Sequence, residues 1–251
     1  MILITGASSG IGEACARTFA LDPRTRGLIL VARRKDRLDK LAKELRHKRS
    51  DFEVHVVELD IRKRKLVGAF AKAEHELLSR VSVLINNAGM AAGFDTIQNG
   101  KLDDWDATID TNVKGLLYVT HALLAHFVEK GEGHIVNMGS VAGYEVYPKG
   151  NIYCASKHAV RAITEALRVD LLGTKIRVSS VSPGMVATEF SRVRLGDKKK
   201  ADAVYAGMTP LSGQDIAEAI HWCVRRPKHV NIQDIIIYPT DQAKPTLVAR
   251  K

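Results

Sequence analysis

Cysteine is scarce. Cys15, Cys154 and Cys223 form an odd, scattered set with no CxxC, which excludes a disulfide framework and suits a reducing compartment. No His/Cys cluster has metal-ligand spacing, so no metal is expected; His121 and His126, five apart, read as surface or core-edge residues. No apolar run approaches the 18 or so residues of a membrane span. The longest, Gly115 to Val128, is interrupted by both histidines. The opening MILITGASSG lacks a basic segment and a cleavage site, which reads as a cytoplasmic protein without a secretory signal. Internal repeats, low-complexity tracts and signs of a second domain are absent as well. One local absence matters more: no acidic residue follows the second strand until Asp36.

What is present suits one soluble domain over residues 1–251, with 45% apolar residues and a mean hydropathy near zero. The formal net charge is +10, from 38 basic and 28 acidic residues, and thirteen of the basic residues lie between Arg33 and Lys65. Such clustering serves an anionic partner (nucleic acid, a membrane surface or a phosphorylated cofactor) or is the wet face of an amphipathic helix. The helical reading has its own support, because Arg37, Lys40, Lys43 and His47 alternate with Leu38, Leu41 and Leu45.

Strand and helix patterns alternate along the chain. Short apolar runs at Ile2–Thr5, Leu28–Ala32, Glu53–Leu59, Val83–Asn86, His134–Met138, Ile176–Val181 and Ile232–Tyr238 are separated by helical patterns. This rhythm predicts an α/β fold: a Rossmann-like, doubly wound parallel sheet of about seven strands with helices on both faces. Ligands of such sheets bind outside the carboxyl ends of the strands, where Gly6, Asp60, Ala88, Ser140 and Pro183 fall. A long helix from about Leu102 to Glu129 carries Asn112 in its middle. Residues 186–208 have no clear period and read as a substrate lid or a disordered basic insertion. The polar tail 239–251 reads as mobile at its end.

Two local patterns carry chemistry. Gly6-Ala7-Ser8-Ser9-Gly10-Ile11-Gly12 stands between the first strand and a helix, where a glycine-rich turn lets backbone approach a pyrophosphate and the helix N-terminus offers free N–H groups. Its GxxxGxG spacing differs from the commoner GxGxxG. After the second strand, where an NAD site places an acid for the ribose, stand Arg33 and Arg34; guanidinium groups suit a 2′-phosphate, so NADP is expected over NAD. The second pattern is Tyr153 and Lys157, four apart on one helix face. A nearby ammonium would lower the phenol pKa, and Ser140 could hold a substrate oxygen, together forming a proton relay between an alcohol and a carbonyl. A packed ring beside a snorkelling amine is the plain alternative.

Taken together, Thr5-Gly-Ala-Ser-Ser-Gly-Ile-Gly12, Asn86-Asn-Ala-Gly89, Asn112, Ser140, Tyr153-x-x-x-Lys157 and Pro183-Gly184 with Thr188 resemble the short-chain dehydrogenase/reductase family over nearly the whole chain. The resemblance implies a catalytic tetrad of Asn112, Ser140, Tyr153 and Lys157. Tyr153 would be the acid/base, Ser140 would orient the substrate oxygen, Lys157 would bind the ribose, and Asn112 would hold a water at a distorted point of its helix. It implies a cofactor site of Gly6, Ser8, Ser9, Gly10, Ile11, Gly12, Arg33, Arg34, Asp60, Ile61, Asn87, Ala88, Gly89, Tyr153, Lys157, Pro183, Gly184, Val186 and Thr188. Asp60 would meet the adenine, and Val186 and Thr188 the nicotinamide end.

The stretches Val31–Leu38, Ile109–Leu117, Gly184–Phe190 and His229–Ile235 are similar to the NADP-dependent 3-hydroxy acid dehydrogenases, the subgroup of serine and allo-threonine dehydrogenases. That similarity implies a small-molecule substrate such as serine, allo-threonine or 3-hydroxypropionate and a homotetramer. Arg192 and Arg194 are candidates to hold the substrate carboxylate, or are solvated lid arginines. Segment Leu21–Gly27 looks longer than the family's usual link into the second strand. The rival expectations are a broad carbonyl reductase of the same family, a non-catalytic dinucleotide sensor, which should show a broken tetrad, and a nucleic-acid-binding protein, which should show steep salt dependence. The intact tetrad and the lack of a nucleic-acid module favour the enzyme, with no nucleic-acid or membrane partner.

Overall fold

All seven expected strands form, and every pairing between them is parallel. The computed structural model describes residues 1–251. In chain order the elements are β1 (Ile2–Thr5), α1 (Gly10–Leu21), β2 (Gly27–Ala32), α2 (Lys35–Lys48), β3 (Glu53–Glu58), α3 (Arg64–Ala73), α4 (His75–Ser79), β4 (Val83–Asn86), α5 (Leu102–Ile109), α6 (Leu116–Lys130), β5 (Gly133–Met138), α7 (Asn151–Asp170), β6 (Ile176–Pro183), α8 (Glu189–Leu195), α9 (Lys198–Ala203), α10 (Gly213–Val224) and β7 (Asp234–Ile237). The sheet runs β3-β2-β1-β4-β5-β6-β7. The winding direction reverses between β1 and β4, which opens a crevice at their carboxyl ends.

Strands buried on both faces read as continuous apolar runs, and the period of two sends alternate residues to opposite sides. Ile2 and Ile4 of β1 with Leu28 and Leu30 of β2 face one core, built with Phe19 of α1, Leu38 and Leu41 of α2 and Ile220 of α10. Leu3, Ile29 and Val31 face the other, built with Val67 of α3, Leu78 of α4 and Leu123 and Phe127 of α6. No helix is long and apolar enough to cross a membrane.

Three stretches depart from expectation, and a fourth meets it. The helical pattern between β3 and β4 is two helices, α3 and α4, meeting at Glu74. The long helix is distorted at Asn112, as the resemblance implied: α5 and α6 are joined by a π-helical turn, Asp110–Gly115. The aperiodic stretch 186–208 contains α8 and α9. Each has a side-chain cap that frees it from needing a long apolar stripe: Thr188 accepts from Phe190 N, and Asp197 from Lys200 N. The tail lies against the body. Gln242 is buried and accepts from Met185 N at 2.8 Å, and Lys251 N donates to Gly207 O at 2.9 Å.

A buried polar chain fixes the strands that carry the site to the helices behind them. Asn86 Nδ2 donates to Thr120 Oγ1 and to Asn137 Oδ1, both at 2.9 Å, and Asn137 Nδ2 donates to Thr164 Oγ1 at 2.9 Å. It links β4, α6, β5 and α7, and so sets β5, which leads to Ser140, against α7, which bears Tyr153.

Candidate active site

A cleft of about 770 Å³ follows the carboxyl ends of the strands. Of the residues expected there, Gly6, Ser8, Ser9, Gly10, Ile11, Arg33, Arg34, Asp60, Ile61, Asn87, Ala88, Gly89, Ser140, Tyr153, Lys157, Pro183, Gly184, Val186 and Thr188 line it. Two do not. Gly12 is buried, and a Cβ there would lie 2.4 Å from both Asn87 Nδ2 and Gly6 O; its small size lets α1 close on the β1 turn. Asn112 sits behind the wall.

The β1 turn builds one end. Gly6 has φ +66°, and a Cβ would stand 2.9 Å from Ala88 Cα, so glycine is required twice over. Asn87 reaches back to Thr5 O at 2.9 Å and Gly6 O at 3.2 Å, while Ala88 N donates to Thr5 Oγ1 at 3.0 Å. Ser9 at the N-cap of α1 makes no side-chain cap bond, leaving the helix N-terminus as an anion cradle.

The basic corner after β2 is more elaborate than two free arginines. Arg33 is exposed. Arg34 donates from Nε to Ser8 Oγ at 3.2 Å, from Nη2 to Ser9 Oγ at 2.6 Å and from Nη1 to Glu189 Oε2 at 2.9 Å. Arg37 donates to both oxygens of the same carboxylate, at 2.8 and 2.9 Å. Hydrogen bonds from Arg34 and Arg37 hold the Glu189 carboxyl down at about 2. Asp60 is similarly engaged: Arg62 donates from Nε to Oδ1 at 2.9 Å and from Nη2 to Oδ2 at 2.6 Å and lowers its pKa, so an adenine group would share that carboxylate with Arg62.

At the other end, Ser140, Tyr153 and Lys157 converge. Ser140 ends the β5 segment in extended backbone and caps a single 3₁₀ turn, accepting from Ala142 N at 3.1 Å. Tyr153 lies in the first turn of α7, half-buried, with its ring 5.5 Å from that of Phe190. Lys157, one turn on, is buried and donates from Nζ to Met138 O at 2.7 Å; the ammonium is 5.9 Å from the Tyr153 ring centre. Asn112 accepts from Met90 N at 2.8 Å and donates to Met90 O at 2.8 Å and Ser156 Oγ at 3.0 Å. Its side chain therefore splints the loop after β4 to α7.

The electrostatics correct one expectation. The phenol of Tyr153 is pushed up, first by burial and then by Tyr147, against opposing effects of Ser140 and Arg194. Burial alone brings Lys157 down to about 8. Both groups are driven towards neutrality, because the pair faces a desolvated wall with no carboxylate to hold the ammonium charge.

Sequence reasoning gave no sign of Tyr205, and of the two arginines it offered for a substrate carboxylate, Arg192 and Arg194, only Arg194 lines the cleft. Arg194 of α8 donates from Nη1 to the Tyr147 hydroxyl at 2.8 Å and lies 4.8 Å from the Phe94 ring centre and 5.5 Å from that of Tyr153. Arg192, its equal in the sequence, is exposed. Helical direction distinguishes them, but only once α8 is known to be a helix. Tyr205 pins the base of this segment, bonded to Ser191 Oγ at 2.6 Å and donating to Val186 O at 2.7 Å.

The model of the family described as short chain dehydrogenase matches residues 1–199. Sulfoacetaldehyde reductase 2 of Chromohalobacter salexigens is 46% identical over 245 residues, covering 97% of this chain and 95% of that protein. The NADP-dependent 3-hydroxy acid dehydrogenase of Schizosaccharomyces pombe is 42% identical over 253 residues, covering 100% of this chain and 96% of that one. Among solved structures, the closed form of a serine dehydrogenase complexed with NADP+ superimposes with a TM-score of 0.87 at 37% identity, covering 100% of this chain and 99% of the other.

Proposed function

The chain belongs to the short-chain dehydrogenase family, and from that premise we propose that it is an NADP(H)-dependent oxidoreductase for small anionic alcohols and aldehydes. The substrates named for the relatives share one geometry. In a 3-hydroxy acid, in serine and in sulfoacetaldehyde, one carbon separates the reacting carbon from the acidic group. The observation that carries the reading is Arg194. It is a guanidinium with no carboxylate partner among the ion pairs, set over the Tyr153 ring. A carboxylate or sulfonate held there leaves its second carbon within reach of the phenol.

The cofactor site fits the group. The uncapped α1 N-terminus suits a pyrophosphate, and Arg33, Arg34 and Arg37 after β2, with no acid in the ribose position, suit a 2′-phosphate. When bound, NADP supplies the hydride acceptor at its nicotinamide ring. The protein's part is proton handling and orientation. Ser140 holds the substrate oxygen against the Tyr153 hydroxyl, and Tyr153 takes the alcohol proton in oxidation and returns it in reduction. Lys157, close to titration at neutral pH, stabilises the phenolate as it forms. Asn112 keeps the wall behind Lys157 in register.

The same reading carries a homotetramer in the cytoplasm, with residues 186–208 as the substrate lid. Support for assembly is the subgroup resemblance together with exposed apolar side chains on α6, α10 and β7, among them Leu117, Val128, Trp222 and Ile236. Light scattering that gives four chains per particle checks it. The activity is tested by following NADPH absorbance with sulfoacetaldehyde and with malonate semialdehyde. Turnover of either, much faster than with NADH, is expected; silence on both would overturn the reading.

A further inference from the structure

Helix α8 is tied down at both ends. Glu189 begins it and is gripped by Arg34 and Arg37 of the β2–α2 corner. Arg194, five residues and about 7 Å further along the axis, lies over Tyr153. One short helix thus joins the adenosine end of the cleft to its reacting end. An acidic residue in a first turn is ordinarily explained by the helix dipole. Here Thr188 already caps α8, and the carboxylate turns to two arginines of another element. Each of the three guanidinium nitrogens of Arg34 donates one hydrogen bond, to Ser8, Ser9 and Glu189. The two serines are neutral acceptors that a phosphate can join, whereas Glu189 is an anion in the place a phosphate needs.

The geometry points to Glu189 as an internal occupant of the 2′-phosphate seat, a carboxylate that holds α8 on Arg34 and Arg37 until a 2′-phosphate displaces it. The inference rests on the NADP reading above. The ion pairs are about two-fifths exposed on each side, and pairs so exposed hold weakly. A phosphate monoester brings nearly twice the charge and three acceptor oxygens, so it wins the arginines; like-charge repulsion then moves the carboxylate away. A dinucleotide with a bare ribose leaves Glu189 in place. Displacement frees the helix that carries Arg194, so recognition of the phosphate is coupled to the position of the anion clamp above Tyr153.

The test is titration calorimetry on the full chain with two probes, adenosine 2′,5′-bisphosphate and adenosine 5′-monophosphate, for wild type and Glu189→Gln at one salt concentration. Wild type binds the bisphosphate more tightly. Glu189→Gln tightens it by about fivefold, the size of an exposed ion-pair contribution, and leaves the monophosphate within about twofold. Retained monophosphate binding also reports an intact fold. Trypsin then reads the helix: the bisphosphate, but not the monophosphate, speeds cutting at Arg192 and Arg194 in wild type, and Glu189→Gln is cut fast without ligand. If wild type shows no preference for the bisphosphate, the NADP reading fails. If it shows the preference but Glu189→Gln leaves bisphosphate affinity unchanged, or weakens both probes alike, the role of Glu189 is overturned.

Discussion

Arg194 stands over the ring of Tyr153, guanidinium carbon 5.5 Å from the ring centre, with its Nη1 donating to Tyr147 rather than to any carboxylate. In the proposed function this arginine, without an anionic partner, is the seat for a charged substrate. Replacing it with alanine should therefore separate binding from chemistry. For an anionic substrate, Arg194→Ala lowers kcat/KM by about 10- to 150-fold, the worth of a charge-assisted hydrogen bond. For an uncharged secondary alcohol the change stays within about threefold. Steady-state kinetics on the two substrates checks this.

Tyr153 carries the proton in this account. Tyr153→Phe keeps the ring and its packing on Phe190 but removes the hydroxyl. It lowers kcat by about 10²- to 10⁴-fold, the usual contribution of a positioned acid/base group, while leaving the calorimetric affinity for NADP within about twofold.

Lys157 makes stability depend on pH in a specific sense. Its pKa is lowered from the ordinary lysine value to about 8 in the folded protein, so between about pH 8 and 10.5 the unfolded chain binds more protons than the folded one. Folded-state stability owed to this group rises with pH across that window. Relative to Lys157→Met, the wild type gains about 2 kcal/mol in unfolding free energy between pH 7 and 9.5. Urea unfolding of both proteins without cofactor at the two pH values measures the difference. A wild type that loses ground to the variant as pH rises would contradict it.

Asn137 sits mid-way in the buried chain from Thr120 to Thr164. Asn137→Ala leaves Asn86 Nδ2 without one acceptor and Thr164 Oγ1 without its donor, and lowers the unfolding free energy by about 1–3 kcal/mol. Thermal denaturation reads this directly. Activity measured well below the new midpoint stays close to wild type, because no atom of Asn137 lines the cleft.

Much of this was legible locally, and the parts that were not share a cause. The strands showed because a parallel sheet buries both faces, so β1 and β2 are unbroken apolar runs. Gly6, Asp60, Ala88, Ser140 and Pro183 showed because a doubly wound sheet collects strand ends at its carboxyl rim; most other cleft residues came from the family resemblance. Helices α8 and α9 were hidden because they rest on single capping residues, Thr188 and Asp197, and carry little apolar period. The ties from Gln242 to Met185 and from Glu189 to Arg34 span 57 and 155 residues, and nothing near either partner announces the other. The spacing of Tyr153 and Lys157 was readable, but the charge of the pair was not. Burial governs it, and burial belongs to the wall built by Met138, Gly89 and the loop after β4. Gly12 and Asn112 lie outside the cleft lining: the small size of Gly12 lets α1 close on the β1 turn, and the Asn112 side chain ties the loop after β4 to α7.

The central claim is that the cleft moves hydride equivalents to or from small substrates recognised by their negative charge. Its most direct measurement compares 3-hydroxypropionate with 3-hydroxypropionamide, the same skeleton without the charge, by the rise in absorbance at 340 nm with NADP. The account predicts a kcat/KM for the acid about 100-fold above the amide, with both signals lost in Tyr153→Phe. Equal turnover of acid and amide would contradict it, as would turnover that survives the loss of the Tyr153 hydroxyl.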